Sequence, residues 1–347
     1  QTPGEAASGK RLGYKRQSEP GGRPLSIFRT IFENRVPGRS VKEVVPMQQV
    51  ISELMKGSFG EVRLDEPLAP YTTWKIGGPA DVLLIPENKT QLVAAVKLLH
   101  QHRVPWTALG RGSNMLVADK GIRGVVIKLG DALETVRIEG ESIVAGGAYS
   151  FIKLSVIAGK EGLTGLEFAG GIPGTVGGAV YMNAGAHGSD VSRILQRAEV
   201  LLPRGELVTL QNEDLAYAYR HSILQTNPGI VTEAEFRLRY GDRKEIAAAM
   251  AAYKDRRLRT QPLQLACAGS VFRNPEGRHA AQLIEEAGLK GLRVGGAEVS
   301  PLHANFIVNI GQATAYDVLT LVEQVKETVR TRFGVTLVPE VLVVGER

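Results

Sequence analysis

The sequence predicts an α+β protein with a distinct C-terminal domain, and two observations carry that reading. From about residue 80 to residue 240 most apolar segments are short and end in Gly, Pro or Asn turns, as strands do; from residue 242 the apolar spacing turns helical. Strands first and helix–strand units last is the order of an α+β chain, and 347 residues are enough for two or three domains.

Residues 1–46 are rich in Gly, Pro, Ser and Arg, with a short apolar stretch at Ile27–Phe32, and read as a disordered basic leader. Sparse acidic residues leave a transit peptide open, and Met47 is an alternative functional start. Structure proper is expected from about Val62. Ala80–Ile85 reads as a buried strand closed by Pro86, and Thr90 as the cap of a helix to about Arg103 with Leu92, Val93, Val96 and Leu99 on one face. Trp106–Leu109 and Val125–Leu129 follow as strands, then Leu133–Ile138 and Ser142–Ala145 as a hairpin through Glu139-Gly140-Glu141. A helix is expected at Ser150–Glu161, then strands at Ala198–Leu202, Leu207–Leu210 and Ile230–Tyr240. Beyond Asp242 come helices to Leu258, at His279–Ala287 and at Thr314–Phe333, with strands Asn305–Asn309 and Val341–Val344 beside the last.

Composition narrows the function. Most of the net charge of +6 sits in the leader, which holds nine Lys and Arg against four Glu; from residue 47 onward 33 basic residues face 32 acidic ones. A neutral body is a poor footprint for nucleic acid, so no nucleic-acid partner is expected. No apolar run approaches the roughly 20 residues that span a bilayer. One cysteine, Cys267, rules out an internal disulfide, and no His, Cys and carboxylate cluster has metal-ligand spacing. A cytoplasmic protein without metal or membrane partner is the expectation.

Two glycine-rich loops suit an anion. Gly110-Arg111-Gly112-Ser113-Asn114 follows an apolar strand, and its glycines allow backbone amides to approach a phosphate closely. Gly170-Gly171-Ile172-Pro173-Gly174-Thr175-Val176-Gly177-Gly178 reads as a loop feeding a helix N-terminus, with Pro173 in the first turn. Neither matches a Walker or dinucleotide fingerprint.

With Tyr71–Asp81 (Tyr-Thr-Thr-Trp-Lys-Ile-Gly-Gly-Pro-Ala-Asp), these loops resemble the flavin domain of the UDP-N-acetylenolpyruvoylglucosamine reductase (UDP-N-acetylmuramate dehydrogenase) family. Tyr219-Arg220-His221-Ser222, Ala268–Pro275, Leu289-Lys290-Gly291 and Pro339-Glu340-Val341 continue the likeness in the family's order, over roughly residues 60 to 345. The resemblance implies a vanillyl-alcohol-oxidase (PCMH) type FAD-binding domain in two subdomains at 60–240 and a C-terminal α+β substrate-binding domain at 242–347. It implies non-covalent FAD lined by Thr73, Trp74 and Ile76, by Gly110, Arg111, Gly112, Ser113 and Asn114, and by Gly170, Gly171, Ile172, Gly174, Thr175, Val176 and Gly177. NADPH is then the hydride-donating co-substrate and a UDP-sugar the substrate. Hydride passes from flavin N5 to C3 of the enolpyruvyl group and a proton reaches C2. Ser270 is the implied proton donor, Arg220 the partner of the substrate carboxylate, and Glu340 either a protonated carboxyl at the enolate or the group orienting Arg220. Arg273 stands where Lys is expected and serves as a cationic helper. Arg256 and Arg259, from a basic run that also holds Lys254 and Arg257, are expected at the UDP diphosphate together with Asn274. The short stretch from Tyr240 to Lys254 matches the subgroup without a substrate-covering insertion. Another flavin oxidase or dehydrogenase of this fold, acting on an alcohol or hydroxy acid, would share the glycine loops without requiring Ser270, Arg220 and Glu340. His303 and Asn305 sit beside a strand, where contact with substrate is one reading and a structural His the favoured one.

Overall fold

The computed structural model describes residues 46–347, so the expectations for the leader lie outside the described residues. Ordered structure starts earlier than Val62. Helix α1 (Met47–Lys56) turns Val50 and Leu54 into the core, with Met47 and Ile51 packed beside them. It leads into β1 (Glu61–Pro67).

The first sheet has the order β1-β2-β5-β3, with β2 at Pro79–Ile85, β3 at Trp106–Leu109 and β5 at Ile122–Lys128. β1 runs antiparallel to β2, while β2 and β3 lie parallel to β5. The β2–β3 crossover is helix α2 (Lys89–Gln101), capped by Asn88, whose side chain accepts from Gln91 N at 2.9 Å, and not by Thr90. Asn88 lies in extended backbone, the conformation a cap needs, whereas Thr90 is already inside the helix. Val82 and Leu84 face α1 and α2, and Leu83 faces the opposite core with Leu109 and Val126. Burial on both faces is why this segment reads as an unbroken apolar run.

A second, antiparallel sheet has the order β12-β11-β13-β7-β6. Its strands are β6 (Val136–Glu139), β7 (Ser142–Gly146), β11 (Leu195–Leu201), β12 (Leu207–Gln211) and β13 (Ile230–Arg237). Gly140, at φ +60, makes the predicted β6–β7 turn. Helix α3 (Phe151–Lys160) covers one face, its Phe151 ring 6.4 Å from Phe236 and edge-on to Phe168. The other face carries cross-strand pairs such as Arg197–Glu235 (2.6 Å) and Arg137–Glu233 (3.1 Å). Helix α4 (Val176–Met182) begins after N-cap Thr175, so Pro173 precedes the helix and does not form its first turn. Between α3 and α4 lie β8 (Leu163–Thr164) and a 3₁₀ turn at Glu167–Gly171; the short hairpin β9 (Gly185–Ala186) and β10 (Ser189–Asp190) follows α4.

Past β14 (Arg239–Tyr240), helix α5 (Arg243–Thr260) packs on α3, where Gly159 leaves room for Ile246 and Met250. The C-terminal sheet is β15-β18-β17-β16, namely Ala266–Cys267, Ile307–Asn309, Ala297–Val299 and Arg293–Val294 in that order. It is backed by α6 (Ala280–Glu286) and α7 (Ala315–Phe333). Several contacts tie this half to the preceding one, two of them at β4 and at the start of α7. The terminal strand β19 (Leu342–Val344) pairs in parallel with β4 (Met115–Val117), directly after the first glycine loop. The Asp119 carboxylate accepts the amides of Ala315 and Tyr316 at 2.8 and 2.9 Å, favourable for a charge at the start of α7. Among the described residues no helix is long and apolar enough to cross a membrane.

Candidate active site

Three segments converge beside β3 and α4. Thr73 N donates to Gly112 O at 3.3 Å, and Ser113 Oγ donates to Pro173 O at 2.8 Å. A methyl group on Gly110 would stand 3.0 Å from Thr175 Oγ1, and one on Gly174 (φ +138) 3.1 Å from Ser113 Oγ. Among the described residues, the amides of Arg111, Gly112, Ser113, Asn114, Gly174 and Thr175 have no protein acceptor. A doubly charged diphosphate needs such a group of backbone donors, so these residues fit the flavin dinucleotide. The N-terminus of α4 does not contribute as expected: Val176 N and Gly177 N donate to Tyr149 O and Gly147 O, and Gly178 N donates to Thr175 Oγ1. Those amides are engaged by the β7–α3 connection, so Val176 and Gly177 offer a wall and not donors.

Several expected cofactor residues have other engagements. Trp74 is fully buried in the C-terminal core, its Nε1 donating to Ile307 O at 2.8 Å, and Ile76 joins it there. Of Thr73, Trp74 and Ile76, Thr73 is the one bonded to the glycine loop. Arg111 is exposed. Gly170 and Gly171 lie in the 3₁₀ turn, where the Arg257 side chain occupies the space a Cβ on Gly171 would need, leading into Ile172.

Gly112, at φ +58, cannot take a side chain cheaply: a Cβ would come within 2.7 Å of Thr72 Cα and Tyr71 O. Gly112→Ala is expected to weaken FAD binding at least tenfold and to cost about 1–3 kcal/mol of stability. Flavin-fluorescence titration and thermal melting check this; wild-type affinity would remove the loop from the cofactor site.

The second cluster assembles from both ends of the chain. Arg220, itself at φ +56, donates from Nε to Glu340 Oε1 at 2.9 Å and from Nη2 to Gly185 O at 2.6 Å. The pair is largely shielded, with side chains 21% and 15% exposed, so it is worth more than a surface ion pair. Gln225 Nε2 (3.1 Å) and Arg273 Nη2 (3.3 Å) both donate to Arg220 O and hold the left-handed peptide. Arg273 Nε is buried without a partner among the described residues. Burial pushes the Glu340 carboxyl above its ordinary range, while Arg220 and Arg273 pull the other way. Asn114 Nδ2 donates to Glu340 O at 3.2 Å, which joins this cluster to the first glycine loop. Ser270 follows Gly269 (φ +74), and its hydroxyl has no protein partner among the described residues. It precedes Val271, whose carbonyl accepts from Glu340 N at 2.7 Å.

The basic helix end is divided. Arg256 is exposed, and Arg259 is exposed and paired with Asp255. Arg257 is the member that turns inward, over Gly171 and bonded to Gln261 Oε1 at 2.8 Å. Its position seven residues after Met250 and eleven after Ile246 on the buried helix face was the available signal. Asn274 Oδ1 accepts from Ala280 N at 3.0 Å and so supports the start of α6. Gln225 carried no signal in the sequence. His303 accepts from Asn305 N at 3.2 Å and its ring is held below its ordinary pKa by burial, a structural role.

Comparison with known proteins decides the family. Residues 80–211 match the model of an FAD binding domain, and residues 261–344 that of the UDP-N-acetylenolpyruvoylglucosamine reductase C-terminal domain. The chain is 52% identical over 302 residues to the UDP-N-acetylenolpyruvoylglucosamine reductase of Bacillus licheniformis, covering 87% of this chain and all of that protein. The chain belongs to the UDP-N-acetylenolpyruvoylglucosamine reductase family. A Bacillus cereus protein named UDP-N-acetylenolpyruvoylglucosamine reductase 1 is 50% identical over 300 residues, 86% of this chain and 100% of its own length. The crystal structure of the Thermus caldophilus UDP-N-acetylenolpyruvylglucosamine reductase superposes with a TM-score of 0.71 at 38% identity, covering 82% of this chain and 98% of that one. The fold is accordingly the expected one: a PCMH-type FAD-binding domain followed by the reductase family's C-terminal domain.

Proposed function

We propose that this chain reduces UDP-N-acetylenolpyruvoylglucosamine to UDP-N-acetylmuramate with NADPH and non-covalent FAD, a cytoplasmic step of peptidoglycan precursor synthesis. Half-identity to reductases over their full length supports the activity. The observation that carries the site is the shielded Arg220–Glu340 pair, joined through Asn114 to a loop of unpartnered amides. We take residues 60–240 as the flavin domain and 242–347 as the substrate domain.

FAD held here would supply two-electron chemistry, taking hydride from NADPH and passing it to C3 of the enolpyruvyl double bond. Everything else falls to the protein. The amides of the two glycine loops would hold the diphosphate of the cofactor. Charge gathers on C2 and the adjoining carboxylate as C3 is reduced, so a fixed cation must already be in place. Arg220 provides it: Nε and Nη2 are anchored on Glu340 and Gly185, and Nη1 is left for the substrate carboxylate. In its protonated form, which burial favours and Arg220 opposes, the Glu340 carboxyl donates a hydrogen bond to the enolate oxygen without giving up the proton. Ser270 Oγ delivers the proton to C2, completing the C–C single bond, and Arg273 offers its unpartnered Nε to the charge left behind. The substrate's diphosphate is assigned to Arg256, Arg259 and Asn274, the first two of them exposed on α5.

A pH prediction follows from this electrostatic balance. Activity that needs the proton on Glu340 is present below that carboxyl's raised pKa and is lost as pH rises through it. Arg273 lowers that pKa, so Arg273→Met should move the loss of flavin reoxidation with rising pH to higher pH and Arg273→Lys should leave it in place. Rate–pH profiles of the two variants check this; a shift to lower pH contradicts it.

The activity is tested by incubating the FAD-loaded protein with NADPH in air. NADPH consumption should depend on the UDP-sugar and yield a product heavier by two hydrogens. Rapid oxygen-dependent turnover without the sugar would identify an oxidase instead.

A further inference from the structure

Both ends of the Asn305 carboxamide are engaged by the backbone of Phe272, two residues past Ser270. Phe272 N donates to Asn305 Oδ1 at 2.9 Å, and Asn305 Nδ2 donates to Phe272 O at 2.8 Å. Val271 N donates to Asn305 O at 2.9 Å. On the opposite edge of the same segment, Glu340 N donates to Val271 O at 2.7 Å and Arg273 N to Val338 O at 2.9 Å. Residues 271–273 thus run between 338–340 and Asn305, whose side chain stands where the peptide group of another strand would stand. Asn305 is 4% exposed, and the turn before it is tied by Ser300 Oγ, which accepts from Leu302 N and His303 N at 3.2 Å.

We propose that Asn305 is a positioning residue for the reduction of the enolpyruvyl group: its carboxamide fixes the Ser270–Arg273 segment against Glu340, so that the C2 proton donor and the enolate carboxyl share one frame. This rests on the roles proposed above for Ser270 and Glu340. A carboxamide presents one donor and one acceptor at the spacing of a peptide group, and no other side chain of that size does so. The nearly isosteric Asp, when ionised, keeps the bond from Phe272 N but sets a buried charge against Phe272 O. Protonating that Asp restores the donor. The titratable groups around this position are His303, through Nδ1 on Asn305 N, with Lys290 and Glu285 beyond it, and Glu340 across the 271–273 segment.

The test measures the two half-reactions of the FAD-loaded enzyme separately by stopped flow, for wild type, Asn305→Asp, Asn305→Gln and Ser270→Ala. Asn305→Asp should be reduced by NADPH within about twofold of wild type, while reoxidation by the UDP-sugar slows about 10²-fold at neutral pH, the scale of a small misplacement at a reacting centre. Its reoxidation should recover as pH falls and the buried Asp gains a proton. Asn305→Gln keeps donor and acceptor but lengthens the arm, so its reoxidation should be slow at every pH. In D2O, wild type should give one configuration at C2, and the slow variants a mixture as solvent replaces the displaced hydroxyl. Wild-type reoxidation in both variants, or equal loss in both half-reactions with no recovery at low pH, overturns the proposal. If Ser270→Ala itself reoxidises at the wild-type rate, the underlying roles fail; if it is slow while both Asn305 variants are not, only the Asn305 inference fails.

Discussion

Ser270→Ala is expected to slow reoxidation of the reduced flavin by the enolpyruvyl substrate by about 10²–10⁴-fold, the usual contribution of a positioned proton donor, and to leave reduction by NADPH nearly unchanged. The split follows from geometry. Ser270 lies in the C-terminal half and is not among the amides proposed to hold the dinucleotide, and its hydroxyl is free of protein partners among the described residues. Removing it disturbs no bond of the frame around it. Stopped-flow traces of each half-reaction decide the matter, and equal loss in both would show that Ser270 supports the fold or the flavin and does not deliver the C2 proton.

Arg220→Lys is expected to lower the same half-reaction by about 10²–10³-fold, comparable to removing one donor from an oxyanion site. The guanidinium makes two anchoring bonds, to Glu340 Oε1 and Gly185 O, and still has an arm for substrate. An ammonium is a single point charge on a flexible stem and cannot hold both anchors while reaching a carboxylate. The Glu340 carboxyl, pushed up by burial and drawn down by Arg220, would lose part of that compensation. The variant should therefore also be less stable, which thermal melting of the FAD-loaded protein measures. Wild-type turnover in Arg220→Lys would take the residue out of the chemistry.

What the sequence made legible was local. Helix α7 was bounded correctly because Thr314 and Asp317 form a capping box and Gly334 closes the helix in left-handed backbone. Strand β3 matched at both ends, fixed by Pro105 and Gly110. Helix α1 was readable as well, since Met47, Val50, Ile51 and Leu54 lie on one helical face, but the basic leader before it masked the pattern. What stayed hidden was non-local. Arg220 and Glu340 are 120 residues apart, and their ion pair depends on β19 returning to β4. No spacing rule announces that pairing; family resemblance named the residues, and only the fold brings them together. The engagement of the α4 amides by Tyr149 and Gly147 was hidden for the same reason, so Val176 and Gly177 were expected among the donors together with the loop amides.

The central claim is that reducing equivalents taken from NADPH by bound flavin pass to the enolpyruvyl ether of the UDP-sugar. Anaerobic addition of NADPH to the FAD-loaded protein should bleach the visible flavin band. Subsequent addition of UDP-N-acetylenolpyruvoylglucosamine should restore it, with one equivalent of UDP-N-acetylmuramate formed. A band that stays bleached with the sugar present, yet returns on admitting oxygen, would contradict the account.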